Sequence, residues 1–163
     1  PPPREIETKW GDFMDIELDR QFDLVWISHV LEHQEDVGQF LRRVREVTKP
    51  GGLIAITVPP RKPFIVSGHV NLFNPGLLAY RMVLAGVDCS GAKIFQVDGN
   101  ISILVKNSTY DGPPLNGDVG DLELLKDFFP FPVDEGFNGD FMTCGLLEDE
   151  YQFLYGEPGI SAK

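Results

Sequence analysis

Apolar and polar positions fall into alternating blocks along the chain. The block Phe22–Ser28, "FDLVWIS", is apolar without alternation apart from Asp23, the pattern of a strand buried on both faces, as in parallel sheets. Behind it, Val37, Phe40, Leu41, Val44 and Val47 recur at i, i+3, i+4, i+7 and i+10, one apolar face of a helix. Asp36 precedes that helix as its cap, with Gln39 three residues on in a capping-box arrangement. Pro50-Gly51-Gly52 reads as its stop, and "LIAITVP", residues 53–59, as a second buried strand. Strand, helix and strand within about forty residues make a βαβ unit, whose crossover is expected to be right-handed.

Outside this unit the pattern is looser. "EIETKWGDF", residues 5–13, alternates and reads as a short strand ending near Gly11. Asn74-Pro75-Gly76 opens a further helix that runs to Gly86. "AKIFQVDGNISILVKN" reads as two strands around a turn at Asp98-Gly99-Asn100, an antiparallel hairpin added to a parallel core. From Tyr110 onward Gly, Pro, acids and phenylalanine dominate. Eight aromatics between Phe128 and Tyr155 imply that part of this segment packs on the body of the protein.

Composition narrows the function. A chain of 163 residues suffices for one domain with a true core. The net charge of −11 divides into −1 over residues 1–110 and −10 over residues 111–163. No basic stripe offers itself to a phosphate backbone, so nucleic acid is not an expected partner. No run approaches the eighteen apolar residues of a membrane span, and the start "PPPREIETKW" carries no signal-peptide pattern. Cys89 and Cys144 are too few for a disulfide framework, so a reduced, cytoplasmic setting is expected.

The candidate chemistry centres on His29-Val30-Leu31-Glu32-His33. "HVLEH" matches H-x-x-E-H, the inverted zinc-protease pattern. Two histidines four apart share a metal in that way when one helical turn carries both. Here His29 follows directly on a strand and the helix opens near Asp36, so the pair straddles a strand end and a loop. A third ligand would also be needed, and His69 is the remaining histidine. No metal is therefore expected. The plain structural reading is that His29 and His33 hydrogen-bond loop backbone.

The ordered set Gly11-Asp12-Phe13, "FDLVWIS", "HVLEH", helix, "KPGG" and "LIAITVP" resembles the second half of a class I S-adenosylmethionine-dependent methyltransferase. The resemblance covers about residues 5–106 and is densest over 11–59. It implies an α/β fold: a partial Rossmann-like methyltransferase sheet of three-layer α/β/α type, with a parallel βαβ core and the C-terminal antiparallel hairpin. Residues 1–106 would form the partial domain, and residues 107–163 an acidic, aromatic-rich extension packing on it.

By the same resemblance, Asp12 and Phe13 would hold the adenine of S-adenosylmethionine. Ser28 and His29, at the carboxyl end of the first strand, would border its methionine part, where ligands of open α/β sheets bind. His33 and His69 would face the methyl acceptor and take its proton. The plain alternative for Asp12 is a cap on a turn after Gly11. Methyl transfer needs alignment more than covalent help from the protein, because the sulfonium is already activated. The acceptor is expected to be a small molecule or a sugar or lipid intermediate.

The family's glycine-rich turn and its ribose-binding acid have no counterpart ahead of Asp12. The chain therefore reads as the back part of the domain, with weak or absent cofactor binding by itself. The strand at 22–28 would then present an open edge. The expected cover is "EIETKWGDF" folding back, the aromatic tail, or a second copy in a homodimer. The reading from another class is a non-catalytic interaction module built on the same half-domain.

Overall fold

The computed structural model describes residues 6–61 and 66–135. In chain order they form β1 (Phe22–Ser28), a 3-10 turn (Leu31–His33), α1 (Val37–Val47), β2 (Thr48–Val58), α2 (Pro75–Leu84), β3 (Lys93–Val97), β4 (Asn100–Lys106), α3 (Asp121–Leu125) and a second 3-10 turn (Lys126–Phe128). The sheet runs β1-β2-β4-β3. β1 and β2 are parallel, and β4 is antiparallel to both β2 and β3. This is the expected partial α/β arrangement, a parallel βαβ unit extended by a hairpin.

The reasons for each element are local. Asp36 Oδ1 accepts the Gln39 N–H at 2.8 Å and so caps α1. All five residues of the predicted apolar stripe are buried. Asn74 caps α2 through the Leu77 N–H at 2.7 Å, and Pro75 takes the first helical position, where no N–H is needed. In the hairpin, Asp98 and Gly99 both have positive φ, 49° and 80°. Two residues of that kind match the right-handed twist of the strands they join.

Two expectations need correcting. Pro50-Gly51-Gly52 does not lie between helix and strand: β2 begins at Thr48, directly after α1. The helix stops because Thr48 turns extended while its hydroxyl donates back to Val44 O at 2.7 Å. The glycines instead form an irregularity in the β1–β2 register, which steps from Phe22↔Thr48 to Leu24↔Leu53. Gly51 sits at φ 75°, and a Cβ on Gly52 would stand 2.9 Å from Lys49 O and 3.1 Å from Asp23 O. The strand predicted over residues 5–13 is also not formed among its described residues. Ile6 and Trp10 are 90% and 93% exposed, so the apolar positions of this alternation bury nothing that would hold a strand against β1.

The core lies on one face of the sheet. Val25 and Ile27 of β1, Ile54, Ile56 and Val58 of β2, Ile94 of β3, and Ile101, Ile103 and Val105 of β4 point together into it. α1 and α2 cover them, and Leu125 and Phe129 of the acidic segment join the same cluster. The opposite face carries Leu24, Trp26, Leu53, Phe95 and Val97, all exposed. Of the three layers expected, the described residues supply the sheet and one helical layer. Five of the eight C-terminal aromatics, Phe137 to Tyr155, lie outside the described residues.

Candidate functional site

β1 ends at Ser28, and the chain leaves it through His29 at φ 55°. A non-glycine residue in the left-handed region costs on the order of 1 kcal/mol or more and is held there by its surroundings. The tie is the His29 N–H, which donates to Thr57 O at 2.9 Å. The twist lets the chain turn within three residues into the 3-10 turn Leu31–His33, whose Leu31 is fully buried.

That turn also buries Glu32, whose side chain is 1% exposed. Among the described residues, neither of its carboxylate oxygens receives a hydrogen bond. Oε1 stands 3.3 Å from His29 Nδ1 and 3.8 Å from His33 Nε2. Burying a carboxylate is costly unless charge or hydrogen bonds compensate it. The two imidazoles are the groups the structure sets beside it.

His69 arrives from a different part of the chain. The loop that carries it is fastened to the 3-10 turn: Val70 and Asn71 N–H groups both donate to Glu32 O, at 2.8 and 3.1 Å. Asn71 Nδ2 adds a bond to Gln34 O at 2.5 Å. The His33 and His69 rings meet edge to face at 4.8 Å. His33 Nδ1 lies 2.8 Å from Gly68 O. A carbonyl can only accept, so Nδ1 carries a hydrogen, and Nε2 is the ring atom that faces Glu32. Gly68, at φ 82°, allows this approach, since a Cβ there would sit 3.4 Å from His33 Nδ1.

The structure thus brings His29, His33 and His69 together around a residue to which the sequence argument gave no role. The signal for Glu32 was in the pentapeptide itself: an acid between two histidines, in a segment that packs. The separate scaffolds foreseen for the histidines are also found, a strand end for His29 and a 3-10 turn for His33.

The other candidate residues are held elsewhere. Ser28 is exposed at the carboxyl end of β1, beside Thr57 in register, and Thr57 Oγ1 in turn lies 2.9 Å from Ser102 Oγ. Asp12 Oδ1 accepts the Met14 N–H at 2.8 Å, so one of its oxygens is engaged in a turn. The Phe13 ring lies 5.1 Å from that of Phe40 of α1, tilted by 50°. It also lines a cavity of about 320 Å³ together with Ile16, Phe22, Val25 and Val47. Contacts to the 12–16 turn and α1 fix this pair, whereas contacts to β2 fix Ser28 and His29. Cys89 is buried, and desolvation pushes its thiol up to about 12.

Residues 2–56 match the family model described as methyltransferase domain. The ubiquinone biosynthesis O-methyltransferase of Rhodopseudomonas palustris is 50% identical over 36 residues, which cover 22% of this chain and 14% of that protein. Its mitochondrial counterpart from Dictyostelium discoideum is 32% identical over 81 residues, 50% of this chain and 24% of that protein. Among solved structures, a possible exported protein from Bordetella parapertussis superposes with TM-score 0.50 at 12% identity, covering 61% of this chain and 43% of that one.

The chain is similar to class I S-adenosylmethionine-dependent methyltransferases in sequence, and its described part is a partial α/β fold of Rossmann-like kind. The matched stretches span a quarter or less of the length of these curated relatives. No helix among the described residues is long and apolar enough to cross a membrane.

Proposed function

We propose that this chain supplies the acceptor side of an S-adenosylmethionine-dependent methyltransferase that methylates a hydroxyl on a small molecule. The observation that carries this reading is the cluster His29–Glu32–His33–His69 at the carboxyl end of β1, where open α/β sheets bind their ligands. The methyltransferase-domain match over residues 2–56 supplies the reaction class. Both curated relatives are O-methyltransferases by name, which favours oxygen as the nucleophile.

In this reading the protein aligns the acceptor oxygen with the sulfonium methyl, and His33 and His69 draw off the hydroxyl proton. His33 is oriented for that task, because its Nδ1–H is fixed on Gly68 O and its Nε2 is the ring atom left to receive a proton. Ser28 and His29 border the methionine part of the cofactor, and Asp12 and Phe13 its adenine. The cofactor's phosphate-free body needs close backbone approach from a glycine-rich turn, which the residues ahead of Asp12 do not provide. The edge of β1, unpaired among the described residues, and the exposed face around Leu24 and Trp26 are where such a segment would pack.

The test is a chimaera that places the corresponding preceding half of the Dictyostelium relative's domain ahead of residue 6. It is expected to transfer labelled methyl from S-adenosylmethionine to hydroxylated aromatic acceptors, and His33→Ala is expected to slow transfer about a hundredfold. A chimaera that binds S-adenosylmethionine yet methylates only amines, or nothing, overturns the proposal.

A second reading, favoured by the exposed apolar face, is a non-catalytic module that dimerises through the β1 edge. Sedimentation as a monomer at high concentration would remove it.

A further inference from the structure

The side of the sheet turned away from α1 and α2 has a chemistry of its own. On β4 and β3 the alternation of the strands turns Leu104, Phe95 and Val97 outward, together with Lys106 and Lys93. Phe95 and Val97 are exposed, and so are both lysines. No acid occupies an outward position of either strand, and neither lysine has a carboxylate partner among the described residues. An apolar surface that carries two unpaired cations is complementary to a segment that is both apolar and acidic.

The chain itself carries such a segment. Residues 136–163 lie outside the described residues, and they hold five acids against one base, with five aromatics. Leu147, Tyr151, Leu154 and Tyr155 fall at i, i+4, i+7 and i+8, the spacing of one helical face. At that spacing Glu148 and Glu150 flank the apolar stripe on its two sides.

We propose that residues 144–155 pack on the β4–β3 half of the outward face, with the apolar stripe on Leu104, Phe95 and Val97 and the two glutamates toward Lys93 and Lys106. The described part of the tail leads to this edge of the sheet. Phe128 O accepts the Cys89 N–H at 3.2 Å, four residues ahead of β3, and the Glu135 carboxylate accepts the Gly120 and Leu122 N–H groups. The steps from Glu135 to Leu147 span up to about 40 Å when extended, enough to round the β3 edge.

The width of the face agrees. Strands stand about 4.8 Å apart and a helix with its side chains is about 10 Å across, so one such segment covers two strands. β1 and β2, with Leu24 and Trp26, stay open to a different segment. A second copy docked by the same patch would set the cations of one protomer against those of the other, because an isologous interface meets itself. The proposal does not depend on methyl transfer, and its test reads no activity.

The experiment attaches a nitroxide to Cys144 of the full chain and follows methyl and amide resonances. The other cysteine, Cys89, is buried with its thiol raised to about 12, so the label goes to Cys144. Leu104 and Val97 should lose most of their intensity, and Leu41 and Val44 on the inner face of α1 should keep more of theirs. Isotope-labelled chain without nitroxide, mixed with nitroxide-bearing chain, should show no loss, which assigns the contact to a single chain. Lys93→Glu combined with Lys106→Glu, and separately Tyr151→Asp, should each restore the Leu104 and Val97 signals. The two lysines are exposed, so their variant tests docking and not folding. Equal loss at the outward and inner residues, no loss at all, or loss that persists in either variant overturns the proposal. Loss in the mixed sample also overturns it and puts a second copy on the face.

Discussion

Asn107 offers the sharpest test of how this fold is held. It follows β4 and is nearly buried, and its side-chain amide reaches three carbonyls at the α1–β2 corner: Thr48 at 2.7 Å, Arg45 at 3.0 Å and Lys49 at 3.3 Å. Its backbone is also paired there, donating to Gly52 O and accepting from the Gly51 N–H. The amide has two hydrogens, so two of the three side-chain bonds are full ones and the third is shared. Removing them by Asn107→Ala leaves buried carbonyls unmet, at about 1–1.5 kcal/mol each, for a total of about 2–3 kcal/mol.

Asn107→Asp separates donors from shape. It keeps the outline, supplies no N–H, and turns a negative charge on the carbonyls, so it should cost more than alanine. Urea unfolding followed by far-ultraviolet circular dichroism measures both, with the slope unchanged if the unfolded state is the same. An aspartate variant as stable as the parent, or an alanine loss under about 0.5 kcal/mol, would show that this corner is held by packing and not by the amide.

Other consequences follow from single residues. A Cβ at residue 52 collides with two backbone oxygens, so Gly52→Ala should destabilise the chain by about 1–3 kcal/mol, read from the urea midpoint. Trp10 and Trp26 are 93% and 74% exposed, so the folded protein should show red-shifted, readily quenched fluorescence. A blue shift on raising the concentration would instead reveal a cover over the β1 face. Cys89, with its thiol raised to about 12, should resist alkylation at neutral pH until the protein unfolds. The same shift has a sign for stability. The unfolded thiol ionises first, so this contribution is intact below pH 9 and is lost as pH rises toward 12.

Short-range physics carried much of this structure into the sequence. The apolar spacing of α1, its Asp36 cap, the extent of β1 and the Asp98-Gly99 turn follow from periodicity and backbone preference. Each formed where the pattern placed it. The burial of β1 on both faces, in contrast, does not hold among the described residues, where Leu24 and Trp26 are exposed. The resemblance to methyltransferases was legible because its pieces are contiguous.

What the tertiary structure decided are the questions that need a partner from elsewhere in the chain. Residues 6–10 alternate like a strand but their apolar side chains found no core to enter, and the glycines after Pro50 entered β2 because Asn107, far along the chain, received their backbone groups. Glu32 gained its significance in the same way. Its neighbours His29 and His33 were visible in one pentapeptide. Its burial, and the arrival of His69 on a loop hung from its own carbonyl, depend on contacts that local spacing does not encode.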